Sequence, residues 1–239
     1  MTTASEISLS YQLVLQNQLD VSSNNVANSS TPGFQGSHPL FVEYLAEASD
    51  GSTITYVEDR GTVRNLSAGP LTNTGNKLDL GIQGEGYFTV ETDDGIFYTR
   101  NGSFRLDANG QVVTGTGAAL LGEGDRPIVV APGETEIRVA SDGTVSTENG
   151  TIAKLALVTF ENEQEMQLMG NSLLKTDQRP IPAGSAEIAQ GMLEGSNVIA
   201  MSEITRMIEI LRYYQAANQM ITTEEERQQQ AIELLTRTA

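Results

Sequence analysis

The chain contains no cysteine and no tryptophan, and its only histidine is His38. The first absence removes disulfides and thiolate metal sites. The lone histidine leaves a zinc centre dependent on carboxylates and that one imidazole, and an imidazole-based triad with a single possible base. His38 precedes Pro39 in a loop-like stretch, with no GxSxG elbow to accompany it. Aromatic residues make up only 5% of the chain, which argues mildly against a carbohydrate groove. Basic residues are scarce: 14 Lys and Arg face 31 Asp and Glu, for a formal net charge of −17. Binding to a nucleic-acid backbone or an anionic membrane is therefore disfavoured. No window approaches the 18 or so apolar residues of a membrane span, and MTTASEIS has neither the basic nor the apolar region of a signal peptide. The expectation is a soluble, acidic protein that is not secreted with a cleaved signal.

What is present divides into three compartments. Residues 1–36 carry two charged side chains, Glu6 and Asp20, and no base. Residues 37–196 hold 21 of the 23 glycines and 23 of the acidic residues. Residues 197–239 contain neither glycine nor proline. Gly and Pro punctuate turns, and their absence permits long helices. The order is helix, Gly-rich middle, helix. Domain bounds follow at 1–36, a connecting segment 37–73, a central β domain 74–196, and a long helix 197–239. The fold class expected is α+β.

In the first helix Ile7, Tyr11, Val14 and Val21 share one stripe, while Leu9 with Leu13, and Leu15 with Leu19 and Val26, form others. Apolar side chains facing several directions mark either a core helix or an association surface. Near-absence of charge favours association between copies, where each charge would meet its own image. The helix ends in NNVANSSTPGF. Asn24, Asn25, Asn28 and the following Ser and Thr residues can bond neighbouring backbone groups, Pro32 stops the helix, and Gly33 permits a strained turn before Phe34.

The last helix carries a seam at Met201, Ile204, Ile208, Leu211, Gln215 and Asn218, with alternating spacings of three and four. A second stripe runs Met207, Ile210, Tyr214, Ala217 and Ile221. Thr222 with Glu225 fits a capping box, which would interrupt the helix; alternatively Thr222 lies on an exposed helical face. In the middle, hairpin turns are expected at Asp93-Asp94-Gly95, Asn109-Gly110, Asp142-Gly143 and Asn149-Gly150, in a sandwich or barrel-like β domain. ENEQEMQLMG reads as a short helix and SLLKT as a closing strand. The acidic turns lack the twelve-residue ligand set of a calcium loop, and Gln83-Gly84-Glu85-Gly86 lacks dinucleotide-site spacing. With 31 acids a chance carboxylate pair is inevitable, so a hydrolase remains a distant alternative.

Three stretches together resemble the flagellar rod and hook protein family: NNVANSSTPGF at 24–34, the block TGNKLDLGIQGEGYFTV through GTGAALL at 74–121, and QGMLEGSNVIAMSEITRMIE at 190–209. They occur in family order, and both the length and RGTVRNLSAGPLTNTGNKLDL resemble the proximal-rod class most, with the distal-rod class as alternative and a non-polymerising adaptor as a third. Leu211-Arg212-Tyr213-Tyr214 and the tail after Ile221 depart from the family pattern. The resemblance implies a discontinuous helical domain of paired N- and C-terminal helices with an all-β domain inserted between them. It implies a structural, non-enzymatic subunit without cofactor or metal, assembling with itself and other rod subunits into a helical hetero-polymer. It also implies passage through the flagellar type III export apparatus, residence in the basal body, and no membrane insertion. The interface implied draws on the seams and turn above, with Asn197 added.

Overall fold

A computed structural model describes the backbone of residues 2–47, 53–134 and 136–237, and side chains at 9–42, 60–134, 136–227, 229–230, 232–233 and 236. The chain is α+β. Two long helices, α1 (Thr2–Ala27) and α2 (Ala200–Arg237), lie at its ends, and antiparallel strands fill the middle. It divides into two compact units. The helical unit takes residues 1–27, 37–65 and 199–239, and the β unit takes 28–36 and 66–198.

In the helical unit α1 and α2 pack against each other, and strands β1 (Ser37–Glu47) and β2 (Thr53–Arg64) both touch α1. Among the described residues these strands form a two-stranded sheet with each other, and they occupy most of the segment expected as a connector. Their register slips between Pro39 and Phe41, where Arg60 and Gly61 together oppose Leu40. A proline cannot donate to a ladder, and Gly61, at φ +102°, absorbs the extra residue.

Helix α2 runs unbroken through Thr222. The Thr222 hydroxyl donates to the Asn218 carbonyl at 3.0 Å, and Thr223 does the same to Gln219 at 2.8 Å. Each hydroxyl is satisfied by the turn before it, so no cap forms, and Thr222 is exposed.

The β unit is organised around β5 (Tyr87–Thr92), following β3 (Leu71–Asn73) and β4 (Leu80–Gln83). One edge of β5 pairs with β6 (Gly95–Thr99). The other edge is shared: Val90 and Glu91 meet Leu120 and Ala119, while Tyr87 and Phe88 meet Val158 and Leu157. Phe88 and Val90 point into the main core with Leu120, Ile128 and Val130. Tyr87, on the opposite face, joins Tyr98, Phe160, Met166 and Leu174 in a second cluster. β5 is thus buried on both sides. Hairpins turn at 92–95, 107–111, 140–143 and 147–150, and Glu163–Glu165 forms a single 3-10 turn. Leu174–Lys175 pairs with both Gln167–Leu168 and β6.

Candidate assembly interface

At the end of α1 the Asn25 side chain is 1% exposed. The Ser37 N–H donates to Asn25 Oδ1 at 2.9 Å, and Asn25 Nδ2 donates to the Ser37 carbonyl at 2.8 Å. The amide matches the backbone of the first residue of β1 on both its donor and acceptor sides. Asn25 Nδ2 also lies 3.4 Å from Glu203 Oε2, in the first turn of α2. Glu203 is buried, and its other oxygen faces Arg206 at 3.6 Å. Arg206 in turn contacts His38 Nδ1 at 3.0 Å. Asn24, its neighbour in sequence, is exposed. Asn25, Glu203, Arg206 and His38 therefore form one polar chain across three elements of the helical unit. A carboxylate in the first turn also complements the helix dipole.

The expected turn residues after α1 belong to the β unit. The Asn28 carbonyl accepts from the Thr31 N–H at 3.0 Å, and the Thr31 carbonyl from Phe34 at 3.2 Å. Gly33, at φ +66°, sits so close to Arg100 that a Cβ would collide with that residue's backbone carbonyl carbon. Its N–H donates to the Glu194 carbonyl at 2.8 Å. Glu194 and Arg100 form a buried ion pair, with Arg100 Nε 2.8 Å from Glu194 Oε2. The remaining guanidinium nitrogens donate to the carbonyls of Gly86 and Gly84, and Glu194 Oε1 accepts from the Gly69 N–H. Asn197 completes this knot. Its Oδ1 accepts from Gly36 N–H at 2.8 Å, its Nδ2 donates to Ser67 carbonyl at 2.8 Å, and its own N–H donates to Phe34 carbonyl at 3.2 Å. Pro32 is half-buried and Phe34 buried beside these bonds.

Helix α2 presents two seams about 100° apart. The inner one, Glu203, Met207, Ile210, Tyr214, Ala217, Ile221 and Glu224, alternates strictly between steps of four and three, and all its members are buried or half-buried. This is the second stripe of the sequence, extended by an acid at each end. The other seam, Met201, Ile204, Ile208, Leu211, Gln215 and Asn218, is exposed along its whole length. Met201 is 73% exposed and Ile208 47%. At the far end Asn218 Oδ1 accepts from Gln12 Nε2 at 2.6 Å, which fixes the helices as antiparallel. On α1, Val14 is buried, Val21 half-buried and Tyr11 exposed, whereas the side chain of Ile7 lies outside the described ones. Leu9 and Leu13 are also exposed. The stripe Ile7–Tyr11–Val14–Val21 therefore does not present one uniform face.

Sequence reasoning passed over Arg100 and Glu194, and it paired Glu203 only with Arg206, three residues on, missing its contact with Asn25. Their signal is a lone charge within an otherwise apolar or Gly-rich stretch, and it cannot name a partner 94 or more positions away. Among the described residues, three carboxyl groups are held off their ordinary range, Asp107, Asp142 and Glu136, and all lie below it. Backbone N–H donors from Gln111 and Thr144 act on the first two, and the Lys77 ammonium on the third. Among the described residues, no group of three or more acidic or imidazole side chains could hold a metal ion.

Residues 14–35 match the family described as flagella basal body rod protein, residues 81–147 the flagellar hook protein FlgE/F/G D1 domain, and residues 189–234 the flagellar basal body rod FlgEFG protein C-terminal family. A flagellar basal-body rod protein FlgF from Caulobacter vibrioides is 36% identical over 98% of both chains. The chain belongs to the flagellar basal-body rod protein family. Further relatives carry two names: a FlgG from Bacillus subtilis is 32% identical, covering 92% of this chain and 94% of its own. A FlgF from Salmonella typhimurium is 32% identical over 92% of both. Asn25, Phe34, Arg100, Glu194, Asn197 and both seams of α2 fall inside the three family blocks.

Proposed function

We propose that this protein is a structural subunit of the bacterial flagellar rod, polymerising through α1 and α2 into a shaft that transmits torque. The observation that carries the polymerising part is the second seam of α2. Four apolar side chains at heptad spacing, Met201, Ile204, Ile208 and Leu211, remain exposed next to an inner seam already filled. A helix that buries one stripe and leaves an equivalent one open has an unused packing surface. A shaft resists twisting when each helix is held by several neighbours, and two adjacent seams meet that requirement.

The β domain is read as an insertion between two helices that work as one polymerising domain. The chemistry is structural rather than enzymatic. Partners are further copies and other rod subunits, and the route outward is the flagellar type III export apparatus without a cleaved signal. The 98% two-way coverage of a FlgF relative supports the proximal-rod position, with the distal position of FlgG-type relatives as runner-up.

The test is to replace the chromosomal copy with an epitope-tagged full-length chain, purify detergent- and salt-washed basal bodies, and locate the tag by immunogold. Label confined to the rod segment nearest the inner rings is expected. Absence of the chain from washed basal bodies carrying complete rods would overturn the proposal, and label near the hook would move it to the distal position.

A further inference from the structure

Three Asn-Gly dipeptides occur in the chain, at 101–102, 109–110 and 149–150, all within the β unit. This pair cyclises readily, because glycine has no side chain to shield its nitrogen or to restrict the rotation that brings it onto the amide carbon. Cyclisation therefore needs a reachable nitrogen and a peptide that can turn.

Two of the three pairs are locked. Gly102 is buried against the Leu80 carbonyl, and its own carbonyl accepts from the Leu80 N–H at 2.9 Å. Asn101 Oδ1 is held by the Ser103 N–H at 3.0 Å. In the second pair the Gly110 N–H donates to the Asp107 carbonyl at 3.2 Å, and the Gly110 carbonyl accepts from the Val130 N–H at 2.8 Å. Asn109 is tied to Asp107 by both its backbone N–H and its amide.

The third pair is open. Asn149 and Gly150 are exposed at the tip of the hairpin formed by Thr144–Thr147 and Gly150–Lys154, with free space beside the Gly150 Cα. Gly150 begins an edge strand of a three-stranded sheet, and its pairing with Thr147 is the last rung. Such end rungs open at the least cost. Beyond its own turn, the Asn149 amide reaches Glu134: Nδ2 donates to Oε1 at 2.9 Å. Glu134 Oε2 is buried and has no hydrogen-bond partner among the described residues. Asn149 is thus the donor on which this half-buried carboxylate relies.

We propose that Asn149-Gly150 is a spontaneous modification site, where deamidation turns the donor that holds Glu134 into a second carboxylate. The Gly150 nitrogen attacks Asn149 Cγ and gives up its proton. Ammonia leaves with the two amide hydrogens and that proton, and a succinimide closes. Water then adds to either ring carbonyl and opens it to aspartate or isoaspartate, with nothing oxidised or reduced. The product sets one carboxylate against another, and the isoaspartate form also lengthens the backbone at the tip by a methylene. Both changes release the hairpin from residues 131–134. The β unit thereby carries a record of the time since its synthesis.

The test ages the full-length native chain in mildly alkaline buffer, folded and in urea. Peptides are then mapped by mass spectrometry, with isoaspartyl methyltransferase labelling. In the folded chain the 149–150 peptide should gain the amide-to-acid mass and the methyl label more than about tenfold faster than the other two, which react only after local opening. In urea all three should convert at similar rates. Equal rates in the folded chain, or a 149–150 pair that converts only in urea, would overturn the site. Hydrogen exchange reads the consequence. Asn149→Asp should raise exchange at residues 131–134 and 147–151, and adding Glu134→Gln, which restores a donor to the contact, should return it to the native level. Native exchange in Asn149→Asp alone would overturn the release.

Discussion

Asn25 holds the buried carboxylate of Glu203 with the same amide that clasps both backbone groups of Ser37. One neutral side chain thus joins the end of α1, the first residue of β1 and the first turn of α2. A neutral amide suits this position because it both donates and accepts, and the acid it meets needs only a donor.

The first prediction separates two adjacent asparagines. Asn25→Ala would leave the Ser37 backbone and Glu203 short of partners in a buried place, at a cost of about 2–3 kcal/mol. Asn24→Ala, at an exposed position, should change stability by less than about 0.5 kcal/mol. Thermal unfolding followed by helical circular dichroism measures both. Equal losses would show that the clasp contributes nothing particular to folding.

The second concerns the buried pair in the β unit. Arg100→Ala or Glu194→Ala should each destabilise that unit by about 3–5 kcal/mol, because each leaves an uncompensated buried charge. The double variant should cost much less than the two losses added. Urea unfolding followed by tyrosine fluorescence suits the measurement, since the chain has no tryptophan and Tyr87 and Tyr98 lie in the core. Simple additivity would refute the coupling.

Much of this architecture was open to sequence reasoning wherever cause and effect lie within a few residues. Asn109-Gly110 and Asp142-Gly143 turn where their dipeptides require positive φ, and Pro32 with Gly33 marks the chain's departure from α1. The long C-terminal helix follows from the lack of Gly and Pro. Choosing between the two seams of α2 was a different problem, because both repeat at heptad spacing and differ by a single position. Glu203 hides the answer further: a buried acid at the head of the inner seam interrupts the apolar pattern that would reveal it. Strand β1 is obscured by Pro39, which demotes the run to a connector unless the bulge at Gly61 is known. Thr222 shows the converse, a valid cap pattern overridden by a continuous helix.

A third prediction uses acid. The Asp107 carboxyl accepts from the Gln111 N–H at 2.7 Å and the Asn109 N–H at 2.9 Å, and these donors hold it below the usual carboxylate range. A carboxylate lowered by folding contributes stability that is present above its unfolded pKa and lost as pH falls through the folded one. The urea midpoint of the native chain should therefore exceed that of Asp107→Asn at neutral pH. The gap should begin to narrow as pH falls through the ordinary carboxylate range of the unfolded chain and be lost once pH passes below the lowered value of the folded one. A constant gap down to the most acidic measurable point would show that the charge on Asp107 is irrelevant to the hairpin.

The last prediction sets two isoleucines, two positions apart, against each other. Ile210 is 4% exposed in the inner seam, and Ile208 is 47% exposed in the outer one. An aspartate at 210 would place an unpaired charge between α1 and α2, and the helical unit should lose about 3–5 kcal/mol. An aspartate at 208 would remain in water in the free chain and change stability by less than about 0.5 kcal/mol. In the shaft that same aspartate would be buried against a neighbour, so incorporation into basal bodies should fail. The two variants therefore divide folding from assembly: one melts the free chain, and the other leaves it folded but excluded. Rods of normal length built from Ile208→Asp would mean that the outer seam is not where subunits meet, and the polymer contact would have to be sought on α1, beginning with Leu9 and Leu13.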